Sequence, residues 1–391
     1  MKRKSSALHK QRDKKERIRS SPDATPPSPA QSLTAFSSLL NFAGEENLEA
    51  RFDEIAEQLF QHLVISVKEG SATVAVFEIL ELEFYFWNIG VHEDPFTHRA
   101  AEQAHSGNWY FHRVPQKSDS STSSVGNGYR GGTRKGLDLT IGQAATTTTS
   151  PYFTFASPSK DIPPSSTRGG VLLRTLRNTS TEKVISGPSL LVDEILKLSQ
   201  ASKISELVDE RWMGDTSAFR DKSASGTSDA ARNSMLCIDM RSTAQAEVPV
   251  IHRSPRIGLD PSHSTISLTP THPRAVFSTK PYRYFIHPNL LTANGRPQTF
   301  LGVLASLKPI FPAQGAARDE KELERLKNGV SRQSGMSSQT VAKYLEHYVA
   351  GLEVRILMDS DPDFFARATK KQASSSPATY LRLMGMLSAV G

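Results

Sequence analysis

The sequence has very little cysteine and no long apolar run. Its single cysteine, Cys237, excludes an internal disulfide and any metal cluster built on several cysteines of these 391 residues, and it favours a reducing compartment. No apolar stretch approaches the ~20 residues that a membrane-spanning helix needs, so we expect no membrane association. The N-terminus is charged from its second residue and no apolar stretch follows, so it does not resemble a signal peptide.

Hydrophobic residues are also scarce, at 37% of the chain, while Gly, Pro, Ser and Thr collect in long polar runs. Such runs bury too little apolar surface to form a core. We therefore expect a disordered basic tail at residues 1–34, one folded domain at 35–311 and a C-terminal helical extension at 312–391. Disordered insertions are expected near residues 115–128, 143–167, 214–248 and 260–275.

The positive charge lies almost entirely in the first twenty residues. They hold nine lysines and arginines against two acidic residues, which equals the formal net charge of +7 of the whole chain. A basic tail suits nuclear import or contact with phosphates, and a solvated tail without a specific role is the alternative. Together with the polar insertions, the tail leads us to expect a nuclear protein.

Hydrophobic periodicity predicts both helices and strands. Apolar residues recur at helical spacing from Leu48 to Leu63, which predicts an amphipathic helix. Branched and aromatic residues predict strands at 73–85, 170–176 and 281–286. A helix is expected at 190–198 with Ser189 as its N-cap, and further helices near 318–328, 339–355 and 376–388.

The end of the first predicted strand carries two carboxylates and a tyrosine. Side chains two apart share a face, so Glu81, Glu83 and Tyr85 are expected on the same side as Phe77 and Ile79. Carboxylates beside an apolar stripe suit an acid–base site, because burial and a neighbouring like charge raise a carboxyl pKa. The alternative is a strand end at which both glutamates simply meet water.

A histidine series follows, and its members are His92, His98, His105 and His112. Imidazole and carboxylate side chains are ordinary zinc or iron ligands, so a metal-dependent enzyme is one possible interpretation. The spacings of six and seven residues match no compact metal motif. Asp94-Pro95 more simply predicts a turn that brings His98 back beside the strand.

A later segment combines cations with glycine. Arg130, Arg134 and Lys135 stand among glycines 131, 132 and 136. Glycines let backbone amides approach phosphates closely while the cations supply charge, which indicates a phosphate-binding loop. A flexible solvated loop is the alternative.

Six segments, in this order, resemble the alkyladenine (3-methyladenine) DNA glycosylase family. They are Glu81-Leu-Glu83-Phe-Tyr85, His92-Glu-Asp-Pro-Phe-Thr-His98, Val171-Leu-Leu-Arg-Thr-Leu176, Ser186-Gly-Pro-Ser-Leu-Leu191, Pro255-Arg-Ile-Gly258 and Pro281-Tyr-Arg-Tyr284. The matching segments fall between about residues 50 and 286, with unmatched insertions between them.

The resemblance implies a role for each matched residue. Glu83 becomes the general base that activates water, and Arg174 helps to position that water. Tyr85 stacks on the flipped base, and His98 forms hydrogen bonds near the base and its sugar phosphate. His112 aligns with a second stacking aromatic. The cations Arg130, Arg134 and Lys135, with Tyr129, are expected to contact DNA.

The resemblance also implies the fold and the reaction. We expect an α+β (mixed α/β) domain with a curved, mostly antiparallel sheet or barrel, like the C-terminal domain of formyltransferase. The expected activity is that of a monofunctional DNA-3-methyladenine glycosylase, which hydrolyses N-glycosyl bonds of alkylated purines in base excision repair. The expected partner is double-stranded DNA containing damaged purines, and the expected enzyme is a monomer that needs no metal or cofactor.

Two positions depart from the family pattern. Lys135 stands where the family inserts a tyrosine into the duplex, and Tyr129 is a substitute at the wrong spacing. Gly142 stands where the family has an asparagine that rejects undamaged guanine. A catalytically silent nucleic-acid-binding relative is therefore the first alternative function, and a histidine-rich metal-dependent enzyme is the second.

Overall fold

The computed structural model describes residues 29–114, 128–143, 167–219, 234–242, 247–261, 269–291, 294–308, 320–358 and 376–388. Residues 1–28 of the expected tail lie outside these ranges. So do the expected insertion at 115–128, apart from Gly128, and the insertion at 143–167, apart from Gln143 and Thr167. Within the described residues, no helix combines the length and the apolar character that crossing a membrane requires.

The predicted amphipathic helix is confirmed as α2 (Leu48–Gln61), which follows α1 (Pro29–Leu39). The side chain of Asn47 caps α2 by accepting a hydrogen bond from the backbone N–H of Ala50 at 3.2 Å. The buried face of α2 includes Phe52, whose ring stacks on that of Phe84 with centroids 4.3 Å apart. Helix α1 begins at residue 29, so residues 29–34, which the sequence assigns to the tail, are helical.

One antiparallel sheet contains the described strands, and with the surrounding helices it makes the α+β fold that the sequence predicts. The strands are β1 (Leu63–Glu69), β2 (Ala72–Asn88), β3 (His92–Glu93), β4 (Trp109–Phe111), β5 (Leu137–Thr140), β6 (Arg168–Asn178), β7 (Val184–Ser186), β8 (Met235–Met240), β9 (His252–Ser254) and β10 (Arg283–Phe285).

The main strand order is β4-β5-β6-β2-β1-β8. The sheet is open rather than a closed barrel, because its end strands β4 and β8 do not pair with each other among the described residues. The irregular segment 216–218 hydrogen-bonds to both of them.

Strand β2 is the longest of these strands, and its two halves have different neighbours. One edge pairs with β6 along most of its length. The other edge pairs first with β1, through residues 72–77, and then with β10, through residues 81–83. The carboxylates of Glu81 and Glu83 therefore arise where three strands meet.

The pairing of β2 with β6 is irregular at this place. Ile79 pairs with Leu176 and Glu81 with Thr175, which leaves Leu80 without a partner on β6. Such a bulge re-aims side chains. Phe77 and Ile79 belong to the hydrophobic core, together with Leu82 and Phe84, whereas Glu81 is held by ion pairs. The prediction that Glu81 lies on the same face as Phe77 and Ile79, which assumes regular alternation along the strand, is therefore wrong.

Two segments assigned to insertions contain regular structure. Strand β8 lies inside the segment 214–248 and pairs with β1, and α4 (Pro273–Thr279) begins inside the segment 260–275. Residues 220–233, 243–246 and 262–268 of those insertions lie outside the described ranges. Strand β8 is short, and it depends on its pairing with β1 rather than on a strong local pattern.

The C-terminal helices join the core. They are α5 (Arg296–Ser306), α6 (Glu320–Ser334), α7 (Ser338–Met358) and α8 (Pro377–Leu387), and α3 (Pro188–Leu198) covers another part of the sheet. Leu326, Val341 and Leu381 are buried in the same hydrophobic cluster as the sheet. Helices α6, α7 and α8 are thus part of the folded domain rather than a separate extension.

Candidate functional site

Buried charges beside β2 form the first part of the candidate site. Glu81 Oε1 accepts hydrogen bonds from Arg283 Nε at 2.6 Å and from Arg174 Nε at 3.2 Å. Its Oε2 accepts one from the hydroxyl of Thr175 at 2.5 Å. Burial favours the neutral acid, but the charges of Arg283 and Arg174 outweigh it and lower the pKa of Glu81. Glu81, Glu83, Arg174 and Arg283 are called the buried ionic cluster below.

Glu83, the expected general base, is completely buried, and three groups orient its carboxylate. The backbone N–H of Ile257 donates to Oε1 at 2.7 Å. The Tyr85 hydroxyl donates to Oε2 at 2.9 Å, and Arg174 Nη1 donates to the same oxygen at 3.3 Å. Glu83, Tyr85 and Arg174, which the sequence assigns to one site, are therefore in direct contact.

The ring of Tyr85 rests on another buried arginine. The guanidinium carbon of Arg256 lies 4.4 Å from the ring centroid, and Arg256 Nη1 donates to Asp94 Oδ2 at 2.5 Å. Burial, followed by the negative charge of Glu83, raises the pKa of Tyr85 well above its ordinary value. The hydroxyl therefore stays protonated and donates to Glu83. Since Arg256 covers one face of the ring, a base can stack only on the other.

The four predicted histidines separate into two groups. His92 is buried between the Phe86 carbonyl, 3.0 Å from its Nδ1, and the Tyr282 hydroxyl, 2.9 Å from its Nε2. Both ring nitrogens are thereby used inside the core. His105 lies at an isolated bridge to Gln143. These two histidines have structural positions.

The other two histidines, His98 and His112, meet each other, which the turn predicted at Asp94-Pro95 did not indicate. The ring centroids of His98 and His112 are 4.3 Å apart, with the rings nearly perpendicular. His112 Nε2 lies 2.8 Å from Asp138 Oδ1, and Gln103 Nε2 donates to Asp138 Oδ2 at 3.2 Å. His98, His112 and Asp138 are called the histidine cluster below.

His98 is the exposed member of this cluster. Desolvation of its ring, followed by the charge of His112, lowers the pKa of His98, although part of the side chain meets solvent. Its ring is therefore neutral at neutral pH. Asp138, by contrast, is buried in β5.

A glycine connects the histidine cluster to the buried ionic cluster. Gly170 on β6 is the direct cross-strand partner of Tyr85 on β2. A Cβ atom on Gly170 would lie 2.7 Å from Asp138 Oδ2, so the carboxylate of Asp138 lies directly over this residue. The two clusters are thus neighbours across three adjacent strands.

The expected DNA-binding loop is anchored at several points. The ring of Tyr129 lies under Arg113, whose guanidinium carbon is 4.3 Å from the centroid, and it meets Phe111 edge to face. Arg130 Nε donates to the carbonyl of Arg113 at 2.9 Å. Because Tyr129 packs against the core, it is not placed to enter a duplex.

The end of the same loop docks on α3. Lys135 forms an ion pair with Asp193, and the hydroxyl of Ser189 donates to the carbonyl of Gly132 at 2.7 Å. Ser189 is therefore not the N-cap of α3. That position belongs to Gly187, whose φ of 117° suits glycine, and the helix begins at Pro188. Arg134 is the exposed cation of the loop.

The fold leaves no space for a side chain at Gly142, the position at which the family has an asparagine. A Cβ atom there would lie 2.5 Å from the carbonyl oxygen of Ala104, and the backbone of Gly142 accepts a hydrogen bond from Phe42 at 2.7 Å. An asparagine has no room at this position unless the backbone of residues 103–104 moves.

Several residues of the site have no role in the sequence-based assignment. Arg256, Ile257 and Arg283 fall within two of the six matched segments, so the pattern marked their positions without indicating their contacts. Asp138 had a weaker signal, since it is a single acid between Leu137 and Leu139 in a strand. A lone carboxylate inside an apolar run needs a buried partner, which here is His112.

Comparison with known proteins adds little to this geometry. No family model matches the chain. The chain is similar to the protein named "Uncharacterized protein L759" of Acanthamoeba polyphaga mimivirus, with 31% identity over 159 residues. The alignment covers 41% of this chain and 62% of the viral protein, so the chain spans less than two thirds of that relative. The name of that protein states no activity.

Proposed function

We propose that the protein is a monofunctional DNA glycosylase that removes alkylated purines from double-stranded DNA. The observation that supports this most is the contact of Glu83 with both Tyr85 and Arg174. It joins a carboxylate, an aromatic ring and a cation in the combination that such a hydrolysis requires. The imidazoles of His98 and His112 meet each other, and His112 is linked to this group through Asp138, which lies over Gly170, the cross-strand partner of Tyr85.

In this proposal a damaged purine leaves the base stack and enters between the two imidazoles and the face of Tyr85 opposite Arg256. Extrusion costs a few kcal/mol, and less for a damaged pair. A purine alkylated on a ring nitrogen is cationic, so a tyrosine face attracts it. The buried carboxylate of Asp138 behind His112 adds a negative charge on the same side.

Hydrolysis then needs a single carboxylate. Glu83 accepts a proton from water while the water oxygen bonds to the sugar C1′. The bond from C1′ to the base breaks, and its electron pair neutralises the cationic purine as it leaves. The attacking water takes the place on Oε2 that the Tyr85 hydroxyl occupies in the absence of a base. Arg174 donates to the same oxygen and keeps its direction fixed.

A catalytically silent nucleic-acid-binding relative remains the second candidate, and one observation favours it. Glu83 is completely buried with both oxygens engaged, which is also the geometry of a purely structural ion pair. Two features of the family are also missing. Lys135, which replaces the family's inserted tyrosine, forms an ion pair with Asp193. The space at Gly142 is too small for the family's asparagine.

Single-turnover release of base decides between the two candidates. The substrates are a duplex with one hypoxanthine and DNA treated with a simple methylating agent. We expect the wild-type protein to release base and Glu83→Gln to lose at least ~10²-fold in rate, because general-base catalysis contributes about that much.

Glu93→Gln is the matched control, since Glu93 is an exposed carboxylate on β3 that accepts only a backbone hydrogen bond from Gly90. Its rate should equal that of the wild type. Absence of release from both substrates, with DNA binding intact, would establish the silent relative instead.

A further inference from the structure

We propose that His98, His112 and Asp138 bind one divalent transition-metal ion, of the class that includes Zn²⁺, Co²⁺ and Fe²⁺. The inference does not depend on the glycosylase proposal, because it rests on the arrangement of three side chains. Within the described residues, this is where histidine and carboxylate donors converge.

The donor atoms are close enough for one ion. One nitrogen of each histidine and one oxygen of Asp138 lie within 4.8 Å of one another. Ligands at metal bonds of about 2.0–2.2 Å lie about 3 Å apart. His112 Nε2 and Asp138 Oδ1 already have a separation of 2.8 Å. Only the exposed ring of His98 has to turn toward them.

Two glycines make room for two of the ligands. A Cβ atom on Gly136 would lie 2.5 Å from ring atoms of His112, and one on Gly170 would lie 2.7 Å from Asp138 Oδ2. Each ligand therefore lies directly over backbone that carries no side chain. A side chain at either glycine would displace the His112 ring or the Asp138 carboxylate.

A buried glutamine supports the carboxylate of Asp138. Gln103 is buried, and its Nε2 donates to Asp138 Oδ2 at 3.2 Å, which leaves Oδ1 as the oxygen facing His112. Carboxylates that ligate metals are commonly held by such a donor on the other oxygen. The arrangement of ligand and supporting amide is therefore present before any ion binds.

Three protein ligands leave at least one coordination position for water or another small molecule. Two imidazoles and one carboxylate favour Zn²⁺ or Fe²⁺ over Ca²⁺ or Mg²⁺, which prefer sites made entirely of oxygen. An ion here also occupies the two imidazoles beside which the glycosylase proposal places the base, so ion and base exclude each other.

The test is a Co²⁺ titration of the full-length, chelator-treated protein, followed by visible absorbance, with Zn²⁺ binding measured by equilibrium dialysis. We expect a visible band that saturates at one equivalent. Asp138→Asn should weaken binding by at least ~10²-fold, and Gln103→Ala by about 10- to 100-fold, because Gln103 holds the other oxygen of the ligating carboxylate. His62→Ala, an exposed histidine outside the cluster, should bind as the wild type does.

His98→Ala keeps the test decisive if Asp138→Asn proves unstable, because His98 is exposed and its removal leaves the core intact. It should weaken Co²⁺ binding by at least ~10-fold. Glu83→Gln should retain full Co²⁺ binding whatever its glycosylase rate, which separates this proposal from the previous one. Equal affinity of wild type and His98→Ala, or no band for the wild type, would refute the metal site.

Discussion

The buried ionic cluster and the histidine cluster are neighbours in the sheet, but their polar groups differ in exposure to solvent. In the first, Glu81 and Arg283 are both buried and are paired inside the sheet. In the second, Asp138 is buried and bonded, while His98 extends into solvent. The first cluster resembles part of the core, and the second has one member at the surface.

This difference in exposure affects how easily each cluster can bind a new ligand. Charged groups that are shielded from water must be paired, because burying an unpaired ion costs several kcal/mol of folding free energy. The ionic cluster can therefore fix the direction of Glu83 but can exchange partners only with difficulty. The histidine cluster has an exposed member, and it can accept a ligand at low cost. The proposals above follow this difference.

The largest effect is expected from Glu81→Gln, which removes the carboxylate charge shared by Arg174 and Arg283. The variant leaves two buried guanidinium groups with one counter-charge fewer. Breaking a buried pair in this way costs about 3–5 kcal/mol in the free energy of unfolding, which urea denaturation measures.

Glu194→Gln provides the comparison, because Glu194 pairs with the exposed Lys183 at 3.0 Å on the surface. Its cost should stay below about 1 kcal/mol. If Glu81→Gln were as mild as this surface change, the ionic cluster would not be part of the core.

An intermediate effect is expected from Gly136→Ala, which tests how tightly the histidine cluster is built. The added methyl would lie 2.5 Å from the His112 ring and must displace it. Overpacking of this kind costs about 1–3 kcal/mol in unfolding free energy, and Co²⁺ affinity should fall with it. Gly131→Ala is the control, since no atom lies within 4 Å of its added carbon. Equal stability of the two variants would contradict the close packing of His112.

The smallest effect on stability is expected from Lys135→Ala, which breaks the ion pair with Asp193 between the loop and α3. Because the pair is partly exposed, unfolding free energy should change by less than about 1 kcal/mol. If Lys135 also contacts a DNA phosphate, the slope of log affinity against log salt should become shallower by about 0.9. Lys183→Ala should leave the slope unchanged, and an unchanged slope for Lys135→Ala would remove Lys135 from the DNA surface.

Local patterns predicted much of the fold. The helix from Leu48 appears as α2, the strand predicted at 73–85 as β2, and the strand predicted at 170–176 as β6. The helices predicted after residue 312 appear as α6, α7 and α8. Each of these elements has a long run of suitable residues, so its identity depends little on its neighbours.

Other features could not be predicted from local patterns. Strand β8 is six residues long and exists by pairing with β1, more than 160 residues earlier in the chain. The bulge at Leu80 changes which side chains share a face with Glu81, and no residue type marks it. The open form of the sheet likewise depends on which end strands meet.

The sequence alone identified part of the candidate site: the carboxylates of β2, the tyrosine that follows them, two members of the histidine series and the arginine of β6. Only the tertiary structure decided their partners. Glu81 pairs with Arg283 across 202 positions, and His112 meets Asp138 rather than His92 or His105. The physical reason is burial. A charged side chain inside the sheet must be paired, and the fold decides which strands lie close enough to supply the partner.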